Sequence, residues 1–185
     1  KTRFIASRES LIANKQMMLR VDEEALDDVP TEVAELLANQ ASELLSKAGA
    51  LVISDYGKGV VNDATAESLI QQAKVAKVPV ICDPKLTGLH RTKGADVVIF
   101  ESRGLELMRR RLSKSTEEDA AWELVEEHGW DSLLVLGGQN GVDLYKSGQE
   151  HVHVSCTLLE PRQQIGLIDA AVVAVVAARA LSLSD

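Results

Sequence analysis

Short apolar runs in this sequence repeatedly end in charge and glycine. Leu51 to Gly59 reads Leu-Val-Ile-Ser-Asp-Tyr-Gly-Lys-Gly, so Asp55 and Lys58 follow directly on a strand-like stretch. Val80-Ile81-Cys82 runs into Asp83-Pro84-Lys85, and Asp96 to Phe100 runs into Glu101-Ser102-Arg103-Gly104. A further run, Ser132 to Leu136, ends in Gly137-Gly138-Gln139-Asn140-Gly141. Carboxylates and ammonium groups interleaved with glycine at one rim suit an anionic, metal-bearing ligand such as a nucleotide or a sugar phosphate. Asp169 adds a base. It stands three residues after Gly166, in the first turn of an apolar helix, where backbone N–H groups and the helix dipole favour negative charge. A carboxylate there can take a proton from a substrate hydroxyl while the same helix start stabilises a transferring phosphoryl group. Plainer readings stay open beside these. Asp169 can serve as a helix cap, Gly138 and Gly141 as a hairpin turn, and Lys58 as a solvated side chain.

These residues need elements to position them. Thr2 to Ala6 and Met17 to Val21 read as two extended segments of a hairpin. Pro30-Thr31 opens a helix whose apolar positions are Val33, Leu36, Leu37, Leu44 and Leu45, with Thr31 as its cap. Asn62-Asp63 caps a second helix bearing Leu69, Ile70, Ala73 and Ala76. A leucine-bearing helix starts at Leu105 to Met108, and another runs from Thr116 to Glu127. Val142 to Tyr145 and His151 to Ser155 read as a hairpin. The last helix, Gly166 to Leu181, is apolar nearly all round and is expected deep in the protein. Strands alternating with helices at this spacing imply a mostly parallel sheet covered on both faces. The carboxyl ends of its strands then share the edge at which open α/β sheets bind ligands.

Bulk properties exclude several alternatives. A net charge of −8 over 185 residues, with Arg109 to Arg111 as the single basic run, argues against a nucleic-acid surface. That run reads as a helix end. Cys82 and Cys156 lie far apart in apolar, strand-like settings and fit reduced core thiols of a cytoplasmic protein. The longest apolar run, Ala170 to Ala178, is too short to span a bilayer, so no membrane partner is expected. His151 and His153 share a strand face without an evident acidic or thiol partner, which speaks against zinc. The chain opens at Lys1 inside a strand-like stretch, as a piece of a longer protein would.

Three stretches carry a resemblance: Lys15-Gln16-Met17-Met18-Leu19-Arg20-Val21-Asp22, Ile53 to Gly59, and Val80 to Lys85. Through them the chain resembles the ribokinase-like (PfkB) carbohydrate kinases, and most of all the bacterial heptose-7-phosphate kinases. The resemblance implies an α/β chain with the three-layer α/β/α ribokinase-like fold, here its carboxyl-terminal portion, with residues 1–24 as a hairpin or lid remnant and residues 25–185 as the nucleotide-binding and catalytic portion. It implies ATP and Mg2+ as cofactors, a small-molecule sugar phosphate and a nucleotide as partners, and allows a homodimer. The family's catalytic aspartate falls on Asp169. Gly138, Gly141, Gly166, Lys58 and Lys85 fall around the nucleotide, and Asp55 and Asp83 toward the substrate. The family pattern is incomplete here. Its Asp-x-x-Gly-Ala-Gly-Asp falls on Gln163 to Asp169, keeping one glycine and the base, and its Asn-x-x-Glu falls on Glu101 to Gly104, keeping neither acid nor amide. An Ile168 forced into a glycine's left-handed backbone would cost about 1–2 kcal/mol. The sequence therefore leaves two readings, an ATP-dependent sugar kinase and an inactive pseudokinase kept for binding or assembly.

Overall fold

The structure, a computed structural model, describes residues 2–6, 16–23, 29–157 and 166–181. Strands β1 (Thr2–Ala6) and β2 (Gln16–Val21) pair antiparallel as a separate two-stranded sheet, with a register shift between Phe4 and Ile5. The main sheet has six strands in sequence order: β3 (Leu51–Asp55), β4 (Val80–Pro84), β5 (Val97–Glu101), β6 (Ser132–Leu136), β7 (Val142–Lys146) and β8 (Val152–Val154). β3 to β6 are parallel, and β7 and β8 continue antiparallel at one edge. This is the mostly parallel α/β sheet expected from the sequence.

Helices α1 (Thr31–Leu45), α2 (Asp63–Ala76), α3 (Ser102–Arg111) and α4 (Glu117–His128) cover one face, and α5 (Leu167–Ala180) covers the other. Alternation along the strands sorts the core into two layers. Val80, Cys82, Val98, Phe100, Leu133 and Val135 meet α2, α3 and α4, whereas Ile81, Val97, Ile99 and Leu136 meet α5. Local sequence starts two of these helices firmly. Asn62 and Thr65 form a reciprocal capping box at α2, and Thr116 and Asp119 form another at α4. Each box satisfies two backbone donors that a bare helix start would leave unpaired. Trp130 anchors the layer between α4 and β6: it is 2% exposed, and its indole N–H donates to the Thr92 carbonyl and hydroxyl at 3.1 and 2.9 Å.

Several expectations need correction. α1 has Pro30 at its N-cap, and no side chain, Thr31 included, caps it. Its packed line is Ala34, Ala38 and Leu45, while Val33, Leu36, Leu37 and Leu44 are exposed. Small residues let α1 approach α2 closely, and the larger apolar side chains are left on the outer face. α3 begins at Ser102, directly after β5, three residues before the predicted start. α5 is not deep. Only Val172 is buried and Val173 is 66% exposed, because among the described residues α5 alone covers its face of the sheet. Cys82 is fully buried, and burial first, then the charges of Asp96 and Asp83, push its thiol up to about 12. Cys156 is instead exposed beyond β8. No helix among the described residues is long and apolar enough to cross a membrane.

Candidate active site

Every parallel strand of the sheet ends at the same edge, and the predicted chemical residues lie there. In parallel register Ser54 faces Asp83, Asp55 faces Pro84, and Glu101 faces Leu136, so the loops after β3, β4, β5 and β6 leave side by side. The amino terminus of α5 meets this edge from the opposite face. The Tyr56 hydroxyl donates to Asp169 Oδ1 at 3.3 Å, and the Lys85 ammonium lies 5.6 Å from the centre of the Tyr56 ring. Ser54 Oγ donates to Asp83 Oδ2 at 3.4 Å. A small cavity of about 190 Å³ opens between β4, β5 and α5, lined by Asp83, Lys85, Glu101, Arg103, Gly104 and Ile168 among others.

Electrostatics tie the acids together. Burial pushes the Asp83 carboxyl above the usual aspartate range; the Lys85 ammonium and the Ser54 hydroxyl draw it back, and the charges of Asp169 and Glu101 push it up. The Asp83 carboxyl, buried and facing the charges of Asp169 and Glu101, resists ionisation unless positive charge joins it. Lys85 supplies part of it. Among the described residues no cluster of three or more His, Cys, Asp or Glu is arranged to hold a metal ion. Magnesium, however, is commonly held by one or two carboxylates together with substrate phosphates and water, and Asp83 and Glu101 fit that mode.

The left-handed backbone needed at the α5 start falls on Gly166, at φ 84°, and not on Ile168. Ile168 lies within the helix and packs against the apolar layer with Ile81, Ile99 and Val172, so the strain expected of it is absent. Residues 158–165, which include Gln163 to Ile165, lie outside the described residues. The glycine loop after β6 forms a single 3-10 turn, Gly138–Asn140, with Gly138 at φ 61° and Gly141 at φ 93°. A side chain at Gly141 would collide with the Val154 carbonyl, so glycine is required there by contact as well as by angle. The Cys156 thiol donates to the Gly138 carbonyl at 3.0 Å.

Asp55 is placed differently from Asp83. It is 5% exposed, with one oxygen accepting from the Gly57 amide at 2.7 Å and the other from Arg91 Nη1 at 3.0 Å. Both oxygens are engaged inside the fold, and Asp55 holds the turn that presents Tyr56. Arg91 also donates to the exposed Asp63 at 2.7 Å. Lys58 is exposed on the same turn. Sequence reasoning missed Tyr56 and Arg91. The tyrosine stood inside the quoted motif, but only tertiary contact shows that its hydroxyl reaches Asp169, 113 residues on. The expected lack of an acidic partner for the β7–β8 histidines is also corrected: Asp143 Oδ1 lies 2.8 Å from both His151 Nε2 and His153 Nδ1.

Comparison with known proteins identifies the lineage. No family model matches the chain. The bifunctional protein HldE of Paramagnetospirillum magneticum is 34% identical over 182 residues, 97% of this chain and 36% of that protein. HldE of Aeromonas hydrophila is 34% identical over 147 residues, 78% of this chain and 30% of that protein. This chain is a relative of the HldE proteins. It spans about a third of their length. Its fold is shared with Escherichia coli phosphofructokinase-2, solved with potassium, at a TM-score of 0.72 and 20% identity, covering 93% of this chain and 55% of that one. It is shared too with Arabidopsis thaliana ribokinase, solved with ribose and ATP, at 0.62 and 19%, covering 79% and 47%. Both likenesses show the ribokinase-like fold. Against the family pattern, Glu106 would be the nearest acid to stand in for the lost glutamate of Asn-x-x-Glu. It is already committed: Arg109 holds it through two bonds of 2.6 and 2.9 Å and Arg110 through one of 2.7 Å. The basic run is thus a helix end, as the sequence predicted.

Proposed function

We propose that this chain supplies the phosphoryl-transfer part of an ATP-dependent sugar kinase that acts on a hydroxyl of a heptose phosphate. The observation that carries the reading is Asp169, held at the α5 amino terminus by Tyr56 and facing the rim that bears Asp83, Lys85 and Glu101. In this role Asp169 receives the proton of the attacking hydroxyl as its oxygen bonds the γ-phosphorus, and the bond to the ADP leaving group breaks. The amides that open α5 after Gly166 stabilise the oxygens of the group in transit. Lys85, and Lys58 on the neighbouring turn, balance phosphate charge. Gly138, with open space where a side chain would stand, leaves room for the nucleotide beside β6, and Gly141, closed against the β8 backbone, holds the turn that presents it. A magnesium ion carried by the nucleotide would supply charge neutralisation beside Asp83 and Glu101. Asp55 acts through the Gly57 turn.

The test is heptose-phosphate-dependent release of ADP from ATP and magnesium, measured with this chain and with the intact gene product. Sugar-dependent turnover supports the reading; nucleotide consumption that ignores the sugar, or none at all in the intact product, removes it. One observation favours a second reading, a pseudokinase that binds without turnover: the arginine clamp on Glu106 leaves the α3 start without the family's acid. That reading predicts nucleotide binding with no ADP release from either protein.

A further inference from the structure

A sizeable cavity lies remote from the strand-end cleft. It has a volume of about 580 Å³ and lies between α2 and the segment Leu86–Thr92 with the end of α4. Asp63, Glu67, Gln71 and Lys74 form one wall at helical spacing, so the groove runs along α2 for about 16 Å. Asp63 stands at the active-site end of α2, and Lys74 near the other end, where the chain enters β5 and β6.

The two ends differ in charge. At the Asp63 end, Asp63 lies 2.9 Å from His90 and pairs with Arg91 at 2.7 Å, and Arg91 pairs with Asp55 as well. At the far end Lys74, Lys93 and His128 line the cavity, and among the described residues neither Lys74 nor Lys93 forms an ion pair. Gly94 has φ 79°, and its missing side chain leaves the space that the Lys74 ammonium occupies, 2.5 Å from where a Cβ would be. The Gly94 amide donates to the His128 carbonyl at 2.8 Å, which fixes the two loops against each other. His128 packs edge-on against buried Trp130 with ring centres 4.9 Å apart. Burial, and then the charges of His90 and Lys93, hold the His128 imidazole below its usual range, outweighing Glu127. The far end of the cavity thus carries two lysines without an ion-pair partner among the described residues, beside an imidazole biased to its neutral form, in a chain of net charge −8.

We propose that this cavity is a second anion site that takes a small hydroxylated phosphomonoester, its phosphate between Lys74, Lys93 and His128 and its hydroxyls toward Gln71 and Glu67. The two lysines give charge-assisted donors, and the His128 ring adds one more when protonated. On the α2 wall the Glu67 carboxylate accepts from hydroxyls and the Gln71 amide both donates to and accepts from them, while the Asp63 and Glu67 carboxylates repel a second phosphate. Occupancy reaches the catalytic edge through a short path, since Asp63 shares Arg91 with Asp55, and Asp55 holds the turn that carries Tyr56. The site stands on its own residues and does not depend on the kinase reading.

The experiment is a titration of the nitrogen-15-labelled chain with sn-glycerol 3-phosphate at constant ionic strength, followed at the amides of Gly94 and Gly129. Saturable shifts at both are expected, and a Lys74→Gln, Lys93→Gln variant should weaken the midpoint by about tenfold or more. Both lysines are exposed, so the variant should keep its fold, which the remaining spectrum reports. Three results would overturn the proposal: shifts reproduced by potassium chloride alone, an unchanged midpoint in the variant, or shifts confined to Gly138 and Gly166 at the strand-end cleft.

Discussion

Replacing Arg91 with methionine isolates what holds the Tyr56 turn in place. The side chain of Asp55 is 4% exposed and that of Arg91 21%, so the substitution strands a nearly buried carboxylate with the Gly57 amide as its one remaining donor among the described residues. Removing one partner of a fully buried pair costs about 3–5 kcal/mol. Arg91 is partly solvated and water can reach the vacated side, which brings the expected loss to about 2 kcal/mol. The Asp63 contact adds little, because that carboxylate is 70% exposed and exposed pairs contribute about 0–1 kcal/mol. A domain of this size loses roughly 2–4 °C in Tm per kcal/mol, so the variant should melt about 4–8 °C lower. Urea and thermal unfolding of Arg91→Met, Asp55→Asn and the double variant measure it. Asp55→Asn keeps the acceptor for Gly57 and removes the charge, so the double variant should be no less stable than Arg91→Met alone. A Tm for Arg91→Met within 1 °C of the parent, or strictly additive losses, would refute the view of Asp55 as an internal strut.

Other substitutions probe different parts of the account. Tyr56→Phe removes one long, exposed hydrogen bond to Asp169 and should lower kcat by about two- to fivefold with little change in melting, read by steady-state kinetics and calorimetry. Gly141→Ala must satisfy a left-handed angle and a collision with Val154, so it should destabilise by more than about 2 kcal/mol. Gly129→Ala, equally left-handed but with open space around it, should lose only about 1 kcal/mol in the same urea experiment. Arg109 and then Arg110 hold the Glu106 carboxyl down to about 2 from an ordinary value of 4.5. A depressed acid stabilises the fold above its unfolded value and loses that contribution as pH falls, so Glu106→Gln should be less stable than the parent near neutrality, with the gap closing between pH 4.5 and 2. Equal pH profiles for the two proteins would contradict the clamp.

Much of this fold was legible because local signals agreed with one another. Apolar runs bounded by glycine and acid marked β3, β4, β5 and β6, and Asn62 and Thr116 marked the starts of α2 and α4 by the side chains that cap them. What periodicity could not report is which apolar face finds a partner. Leu36, Leu37 and Leu44 recur at helical spacing yet stand outside, since α1 meets α2 through Ala34 and Ala38. The all-apolar α5 read as buried, but how much covers a helix depends on the layer beyond it. At the strand-end edge, the placement of Asp169 and Asp83 was legible from the glycine and the strand that precede them. The divergence of Asp55 from Asp83 was not. Both follow an apolar strand, and only the fold brings Arg91 to one of them and leaves the other beside Lys85, Glu101 and Asp169.

Asp169 as the base of a phosphoryl-transfer site is tested most directly by pairing turnover with nucleotide affinity for Asp169→Asn in the intact gene product. A positioned base contributes roughly a hundred- to ten-thousandfold in rate, so kcat should fall by that factor while calorimetric titration with ATP and magnesium gives an affinity within about threefold of the parent. Unchanged turnover in Asp169→Asn would contradict the account.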